Sequence, residues 1–463
     1  MSENTQILEK GYELKTITLF SNNKKAFDIY PQMIEVSMFE DIYNSTMSGM
    51  ILISDSIDIF ASTPLTGFEY IKIIMNKKGY SRDIILDKTF RIYKMEMKDV
   101  AKATTSNQVY VLYFCSEENI LSQSRLVSKS YRGQTTSNIV RDILFNQLNV
   151  MQERVPSENI EESFGRNNLI IPYLNPLTAI NWVSSRTLDK NGMPSFLFFE
   201  NRNGFNFQSL DKIFKQETKV KYTYDLKNIE KQGENSAEEY HDVISYEFMN
   251  VYDVMRATTN GMFSSVLKTV DLLKLRADDI VLEYDEEFQK STHVENMMIS
   301  KLEQRKTPYP FHNNNEDRLK NKTTKNYFAF RRMYPTNLTH GITSYISQRQ
   351  PGLVPNLVEN WMLQRVSKIN QLNYFKLKLV APGDTLITIG DIIEFRIPLV
   401  ANKVKGEKNE NPYYSGRYLV TAIRHIIDYQ RYEMIIEATR DCLAVEYPKA
   451  DNSDPTISEI KKQ

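Results

Sequence analysis

Apolar and polar side chains alternate along much of the chain, most clearly near its end. In residues 432–441 the two alternating sets are Tyr432, Met434, Ile436 and Ala438 on one side, and Glu433, Ile435, Glu437 and Thr439 on the other. A period of two is typical of a β-strand with one buried face. Residues 390–397 and 417–427 are also strand-like, so the sequence predicts a three-stranded unit over residues 390–441.

The first 131 residues show the same kind of pattern. Short apolar or alternating segments lie near 11–20, 34–40, 49–54, 67–74, 90–100 and 108–116, and polar turns separate them. Several short strands with turn signals between them predict a small barrel or sandwich.

Residues 133–217 have helical spacing instead. Residues 135–137 (Thr-Thr-Ser) offer an N-cap, and apolar residues then recur every three or four positions. A second helix is predicted to begin at Asn175 and Pro176, because Asn can cap a helix and Pro suits its first turn. Asn203 and Gly204 lie between two apolar runs and predict a β-hairpin. This segment is therefore expected to be a small α/β insert.

The fold class expected from these patterns is mainly β with an α/β insert (α+β), made of two β-barrel domains and one small α/β domain. The predicted division is a first barrel at 1–131, the α/β insert at 132–217, strands that partly complete the second barrel at 218–300, a polar extended arm or loop at 301–356, the helix and strands of the second barrel at 357–445, and a mobile C-terminal tail at 446–463.

The two β-rich regions resemble each other. Residues 67–73 match 390–397, residues 90–96 match 417–423, and residues 110–114 match 432–436. We interpret this as an internal repeat, although any two β-rich regions share some similarity at this level. Three chains with two such barrels each, arranged around a three-fold axis, would place six similar barrels in a ring.

Three segments carry a resemblance to a known family: residues 136–144, residues 175–183 together with 196–207, and Gly390-Asp391 together with 417–441. They resemble the baseplate hub proteins of contractile-tailed bacteriophages, which include the T-even phage hub and the hub part of type VI secretion spike proteins. The match covers most of the chain as loose patterns, and the middle segment is the most specific. Residues 250–334 match no pattern of the family.

The resemblance implies that the barrels are tail-tube-like and that the chain forms a homotrimer with a pseudo-six-fold ring. Such a ring joins the hexameric tail tube to the trimeric central spike and lets DNA pass without sequence-specific binding. The implied partners are a tail tube or tube-initiator protein, the spike protein, and tape-measure and wedge proteins. No cofactor and no catalysis are implied. The expected location is the virion baseplate, after synthesis in the host bacterial cytoplasm.

Composition changes this picture little. The chain has 463 residues and a formal net charge of +0, which argues against nucleic-acid binding by bulk charge. We find no apolar run near the roughly 20 residues that a membrane helix needs, and no secretory signal. The two cysteines, Cys115 and Cys442, are too few for a disulfide framework, so we expect reduced, buried thiols.

Candidate catalytic chemistry is weak. The five histidines lack metal-ligand spacing. Acidic pairs occur at Glu40-Asp41, Glu117-Glu118, Glu161-Glu162 and Glu238-Glu239, and we expect them to be solvated rather than catalytic. A tail-associated cell-wall hydrolase and a host-surface carbohydrate-binding module remain alternatives.

The predicted arm is locally basic, and its candidate binding residues are Lys301, Arg305, Lys306, Arg318, Lys320, Arg331 and Arg332. They would dock on an acidic neighbour or face passing DNA, and a solvated loop is the alternative.

Overall fold

The computed structural model describes residues 12–22, 25–56, 65–77, 84–98, 108–224, 240–250, 253–271, 275–295, 330–335, 357–373, 375–397, 410–411 and 413–442. Within these ranges the chain is mainly β, as predicted, with short helices between strands. No helix in the described part of the chain is long and apolar enough to cross a membrane.

Seven strands make up the first strand set: β1 Tyr12–Phe20, β2 Ala26–Asp28, β3 Met33–Asp41, β4 Ser48–Asp55, β5 Tyr70–Lys77, β6 Ile84–Lys98 and β7 Gln108–Cys115. They pair in the order β3-β4-β7-β6-β5-β1-β2. Alternate residues of β4 are buried, as a strand with one core-facing side requires. The core of the set includes the fully buried Ile17, Ile51, Ile71, Phe90 and Leu112, and each such side chain contributes about 1.5–3 kcal/mol through burial.

The α/β insert follows directly. Its elements are α1 Glu117–Gln123, β8 Ser130–Gln134, α2 Thr136–Asp142, β9 Asn167–Ile170, α3 Pro176–Ser184, β10 Phe196–Asn201, β11 Gly204–Ser209 and α4 Leu210–Phe214. The predicted caps and turn are confirmed in part: the Thr135 side chain accepts a hydrogen bond from the backbone N–H of Asn138, and α3 has Pro176 in its first turn. Gly204 follows the β10–β11 turn with φ +121°, a backbone conformation that favours glycine.

The chain then enters the second strand set through β12 Thr218–Thr223, β13 Tyr240–Asp242 and β14 Ser245–Asn250. Next come α5 Val254–Thr259, β15 Ser264–Asp271, β16 Arg276–Glu283, α6 Tyr284–Lys290, β17 Phe330–Pro335 and α7 Met362–Leu372. Strands β15, β16 and β17 form a separate small sheet. The second set is completed by β18 Phe375–Pro382, β19 Ile392–Arg396, β20 Gly416–Ile427 and β21 Tyr432–Arg440. In β21 the predicted inward face is confirmed for Met434, Ile436 and Ala438, which are fully buried.

The second set pairs in the order β14-β18-β21-β20-β19-β12-β13. Taken in chain order, each of its seven strands holds the same place as its counterpart in the first set. One difference is direction, because β1 runs antiparallel to β5 whereas β12 runs parallel to β19. The two sets join into one sheet where Ala422 to Ile427 of β20 pair with Val36 to Asp41 of β3.

Local details align the two sets residue by residue. The backbone N–H of Ile92 donates to the carbonyl of Glu69, and the N–H of Val420 donates to the carbonyl of Asp391, both at 3.0 Å. A β-bulge follows each of these positions, between Ile92 and Lys94 opposite β7 and between Val420 and Ala422 opposite β21. The structure therefore pairs Ile92 with Val420.

This alignment differs slightly from the one drawn from the sequence. It is shifted by one residue in the first hairpin strand and by two in the second, where Phe114 corresponds to Ala438. At this position a large side chain faces a small residue in both sets, but the large residue lies on the other strand. Gly49 lies opposite Phe114, whose ring leaves no room for a Cβ atom, whereas the counterpart pair is Leu377 opposite Ala438.

Candidate assembly interface

Of the predicted arm at 301–356, the structure describes only residues 330–335. Arg331 and Arg332 lie on β17, are exposed, and stand opposite Val266 and Leu267 of β15. The other candidates, Lys301, Arg305, Lys306, Arg318 and Lys320, lie outside the described residues. Docking of this arm on an acidic partner, or contact with DNA, therefore stays a prediction. The predicted mobile tail at 446–463 also lies outside the described residues.

The structure brings together a different set of charged residues, at the tip of the insert hairpin. Glu200 of β10 is almost completely buried, and its carboxylate accepts bonds from Lys88 Nζ at 2.7 Å and Arg154 at 2.7 Å. Ser116 and the backbone N–H of Met47 donate to it at 2.5 Å and 2.9 Å. Lys88 lies on β6, and Ser116 and Met47 adjoin strands of the same set. Glu200 therefore fixes the insert to the first strand set.

Arg202, two residues further along the hairpin, reaches the junction between the two strand sets. Its Nε forms an ion pair with Oε1 of Glu40 on β3 at 3.1 Å, and another nitrogen of its guanidinium donates to the carbonyl of Ile387. His425 Nε2 of β20 lies 3.3 Å from the same carboxylate oxygen, and Thr388 donates to the other oxygen. One buried carboxylate thus joins the first set, the second set and the insert.

The expectation that the acidic pairs are solvated is wrong for Glu40 and Glu118, which are 1% and 5% exposed. Partners that are distant in sequence reach both carboxylates. Glu40 contacts Arg202, His425 and Thr388, and Glu118 pairs with Arg154. One signal for this junction is visible in the sequence. Glu200 and Arg202 are the two charged residues of the hairpin at 196–209, in the segment that most specifically resembles the hub family.

The electrostatics of the junction indicate a structural role. Burial alone would raise the pKa of Glu40, but its hydrogen bond with His425 and the charge of Arg202 lower the pKa to about 2. Burial lowers the pKa of His425, so the imidazole is neutral at pH 7 and donates to Glu40. Lys88 and Arg154 likewise hold the pKa of Glu200 below its usual value against the effect of burial. Carboxylates held ionised in this way position their neighbours.

A second buried cluster ties the end of β21 to α7 and to the segment after α6. Asp441 accepts bonds from His293 Nδ1 at 2.9 Å, from Lys368 Nζ at 3.1 Å and from the backbone N–H of Val294 at 3.1 Å. His293, Asp441 and Cys442 lie close enough to suggest a metal site. However, the Lys368 ammonium already pairs with the Asp441 carboxylate. Burial also raises the pKa of the Cys442 thiol to about 12, which disfavours the thiolate that would bind a metal. These residues fit a hydrogen-bonded tie better than a metal site.

Comparisons with known proteins show which proteins this chain resembles. No family model matches the chain. A probable baseplate hub protein of Vibrio phage KVP40 is 21% identical over 434 residues, which cover 90% of this chain and 91% of that protein.

Two solved structures share the fold. A tail protein from Neisseria meningitidis MC58 matches with a TM-score of 0.50 at 9% identity, over 93% of this chain and 97% of that one. The 43 kDa tail protein of prophage MuSo2 from Shewanella oneidensis matches with a TM-score of 0.50 at 8% identity, over 92% of this chain and 99% of that one. The chain is thus similar in sequence to a baseplate hub protein and in fold to tail proteins, which confirms the predicted resemblance to phage baseplate hubs.

Proposed function

We propose that this protein is the structural hub of a contractile phage tail baseplate and that it works as a homotrimer. The observation that carries the proposal is the correspondence of the two strand sets. Each contains seven strands in the same order, with a bulge at the same place. A trimer of this chain presents six such sets, which suits a pseudo-six-fold ring. The relatives are named as baseplate and tail proteins, and this favours a structural over an enzymatic role.

In this proposal the ring resolves a symmetry mismatch. Its six similar strand sets meet the hexameric tail tube or a tube-initiator protein, and its three-fold symmetry suits the trimeric spike on the other face. Tape-measure and wedge proteins are further proposed neighbours, and DNA passes through the lumen. The buried Glu40 and Glu200 clusters support this role, because a connector between two assemblies needs its strand sets and insert held in one arrangement.

Native mass spectrometry tests the proposal most directly. We expect the purified full-length chain, alone or mixed with its spike protein, to give a species of three copies. The matched control is the same measurement at increasing dilution, which separates specific trimers from concentration-dependent aggregates. A chain that remains monomeric both alone and with the spike would contradict the proposed hub.

A further inference from the structure

The two strand sets differ in how their outer edges are covered. In β3, one edge pairs with β4 and the other with β20. In its counterpart β14, one edge pairs with β18, and no strand in the described ranges pairs with the other. Likewise β20 pairs along residues 422–427 with β3, whereas the corresponding stretch of β6, residues 94–98, has no described strand on that side.

Counterparts at these edges follow from the pairing registers. The shared bulge makes Met95 the counterpart of Ile423 and Met97 the counterpart of His425. Through β4 and β18, Val36 corresponds to Tyr246 and Met38 to Phe248.

The core-facing side chains at these edges differ in exposure. Val36, Met38, Ile423 and His425, which lie where β3 meets β20, are at most 1% exposed. Their counterparts Tyr246, Phe248 and Met95 are only partly buried, and Met97 is 64% exposed. Within the described part of the chain, positions that are buried where β3 pairs with β20 are therefore more exposed at the two outer edges.

We infer that residues 94–98 of β6 pair, antiparallel, with β14 of a second copy of this chain. The β3–β20 contact is the template for this pairing. Because His425 stands opposite Met38 inside the chain, Met97 of one copy stands opposite Phe248 of the next. Adding a strand to an open edge satisfies backbone groups and buries the side chains beside them.

The pairing is heterologous, because each copy offers β6 to one neighbour and β14 to the other. A heterologous contact closes into a ring only if its rotation allows it. The β3–β20 contact relates two similar strand sets within one chain, and repeating that relation between chains gives three internal and three intermolecular contacts around one ring. The inference rests on the proposed trimer and names the residues that hold it together.

The test compares Met97→Asp with Met151→Asp in the full-length chain. Met151 is 71% exposed, belongs to the insert rather than to β6 or β14, and is the matched control. Both variants should unfold at the wild-type temperature, since neither side chain is buried in the single chain. We expect Met97→Asp to raise the trimer dissociation constant by about tenfold or more, because the pairing would bury an unpaired carboxylate. Met151→Asp should leave it unchanged.

A cysteine pair gives an independent readout. Opposed residues of antiparallel strands have Cα atoms about 4.5–5.5 Å apart, within disulfide range. The double variant Met97→Cys/Phe248→Cys should therefore form disulfide-linked dimers and trimers on mild oxidation, and Met151→Cys/Phe248→Cys should not. Wild-type trimers with neither the Met97→Asp effect nor the cross-link would overturn this pairing and leave the trimer standing. A wild-type chain that stays monomeric with and without its spike would overturn both.

Discussion

At the residue scale, buried ion pairs hold the strand sets and the insert together. Glu40, Arg202 and His425 come from three separate parts of the chain and meet at one carboxylate. Breaking such a buried pair by removing one partner typically costs about 3–5 kcal/mol, because the remaining charge is left uncompensated. Removing one side chain from this junction should therefore cost more stability than removing one partner of an exposed ion pair, which typically contributes about 0–1 kcal/mol.

The substitution Glu40→Gln tests this dependence. The pKa of Glu40 is lowered from 4.5 to about 2 in the folded protein. Its ionised form therefore stabilises the fold above pH 4.5, and this contribution is lost as the pH falls from 4.5 towards 2. The difference of about 2.5 pKa units corresponds to roughly 3 kcal/mol. We expect Glu40→Gln to lower the thermal unfolding temperature at pH 7 and to flatten its decline in acid.

Thermal melts between pH 2 and pH 7 measure both effects. The matched control is Glu158→Gln, which removes an exposed carboxylate of the insert and should melt as the wild type does. An unchanged acid profile in Glu40→Gln would show that another group controls acid unfolding.

At the element scale, the sequence predicted regular strands well and short or bulged elements poorly. Strand β21 was predicted to within one residue of its end, because its alternation is regular and its buried face is apolar. The sequence pattern predicts strands where helices α5 and α6 lie, since helices of 6 and 7 residues are too short to show a clear period. The alignment of the two strand sets that the sequence predicts differs from the structural alignment by one or two residues.

The Glu40 and Glu200 clusters could not be predicted, because their partners are distant in sequence. Glu40 lies 385 positions from His425, and Glu200 lies 84 from Ser116. Their charges looked like those of ordinary surface residues. Only Glu200 and Arg202 stand out, as the two charged residues of the hairpin at 196–209.

Two neighbouring isoleucines test the assignment of faces in β21. Ile436 is fully buried, whereas Ile435 is partly exposed on the opposite face. Ile436→Asp places an unpaired carboxylate in the core and should reduce the free energy of unfolding by several kcal/mol, or about 3 or more. Ile435→Asp is the matched control and should cost clearly less. Chemical denaturation of both variants measures the difference, and equal losses would mean that the face assignment is wrong.

At the scale of the whole molecule, the two strand sets are alike in order but unequal in surroundings. The first set contributes β3 to a contact inside the chain and keeps an open edge on β6, whereas the second contributes β20 and keeps an open edge on β14. Among the described strands, one chain therefore has one contact between its two sets and two complementary edges that no described strand pairs with. This asymmetry is what a closed ring of identical chains requires, since the last open edge meets the first.

Hydrogen exchange detects this asymmetry directly. On assembly, the backbone amides of residues 94–98 and of Ser245–Asn250 should exchange at least about tenfold more slowly, because strand pairing adds hydrogen bonds at both edges. Amides of β3 and of residues 422–427 are the internal control and should be protected equally in monomer and trimer, since their pairing lies within one chain. Exchange followed by mass spectrometry on wild-type trimers and on the dissociated Met97→Asp variant makes the comparison. Protection that appears at β3 on assembly, or that never appears at β14, would mean that the chains meet through other surfaces.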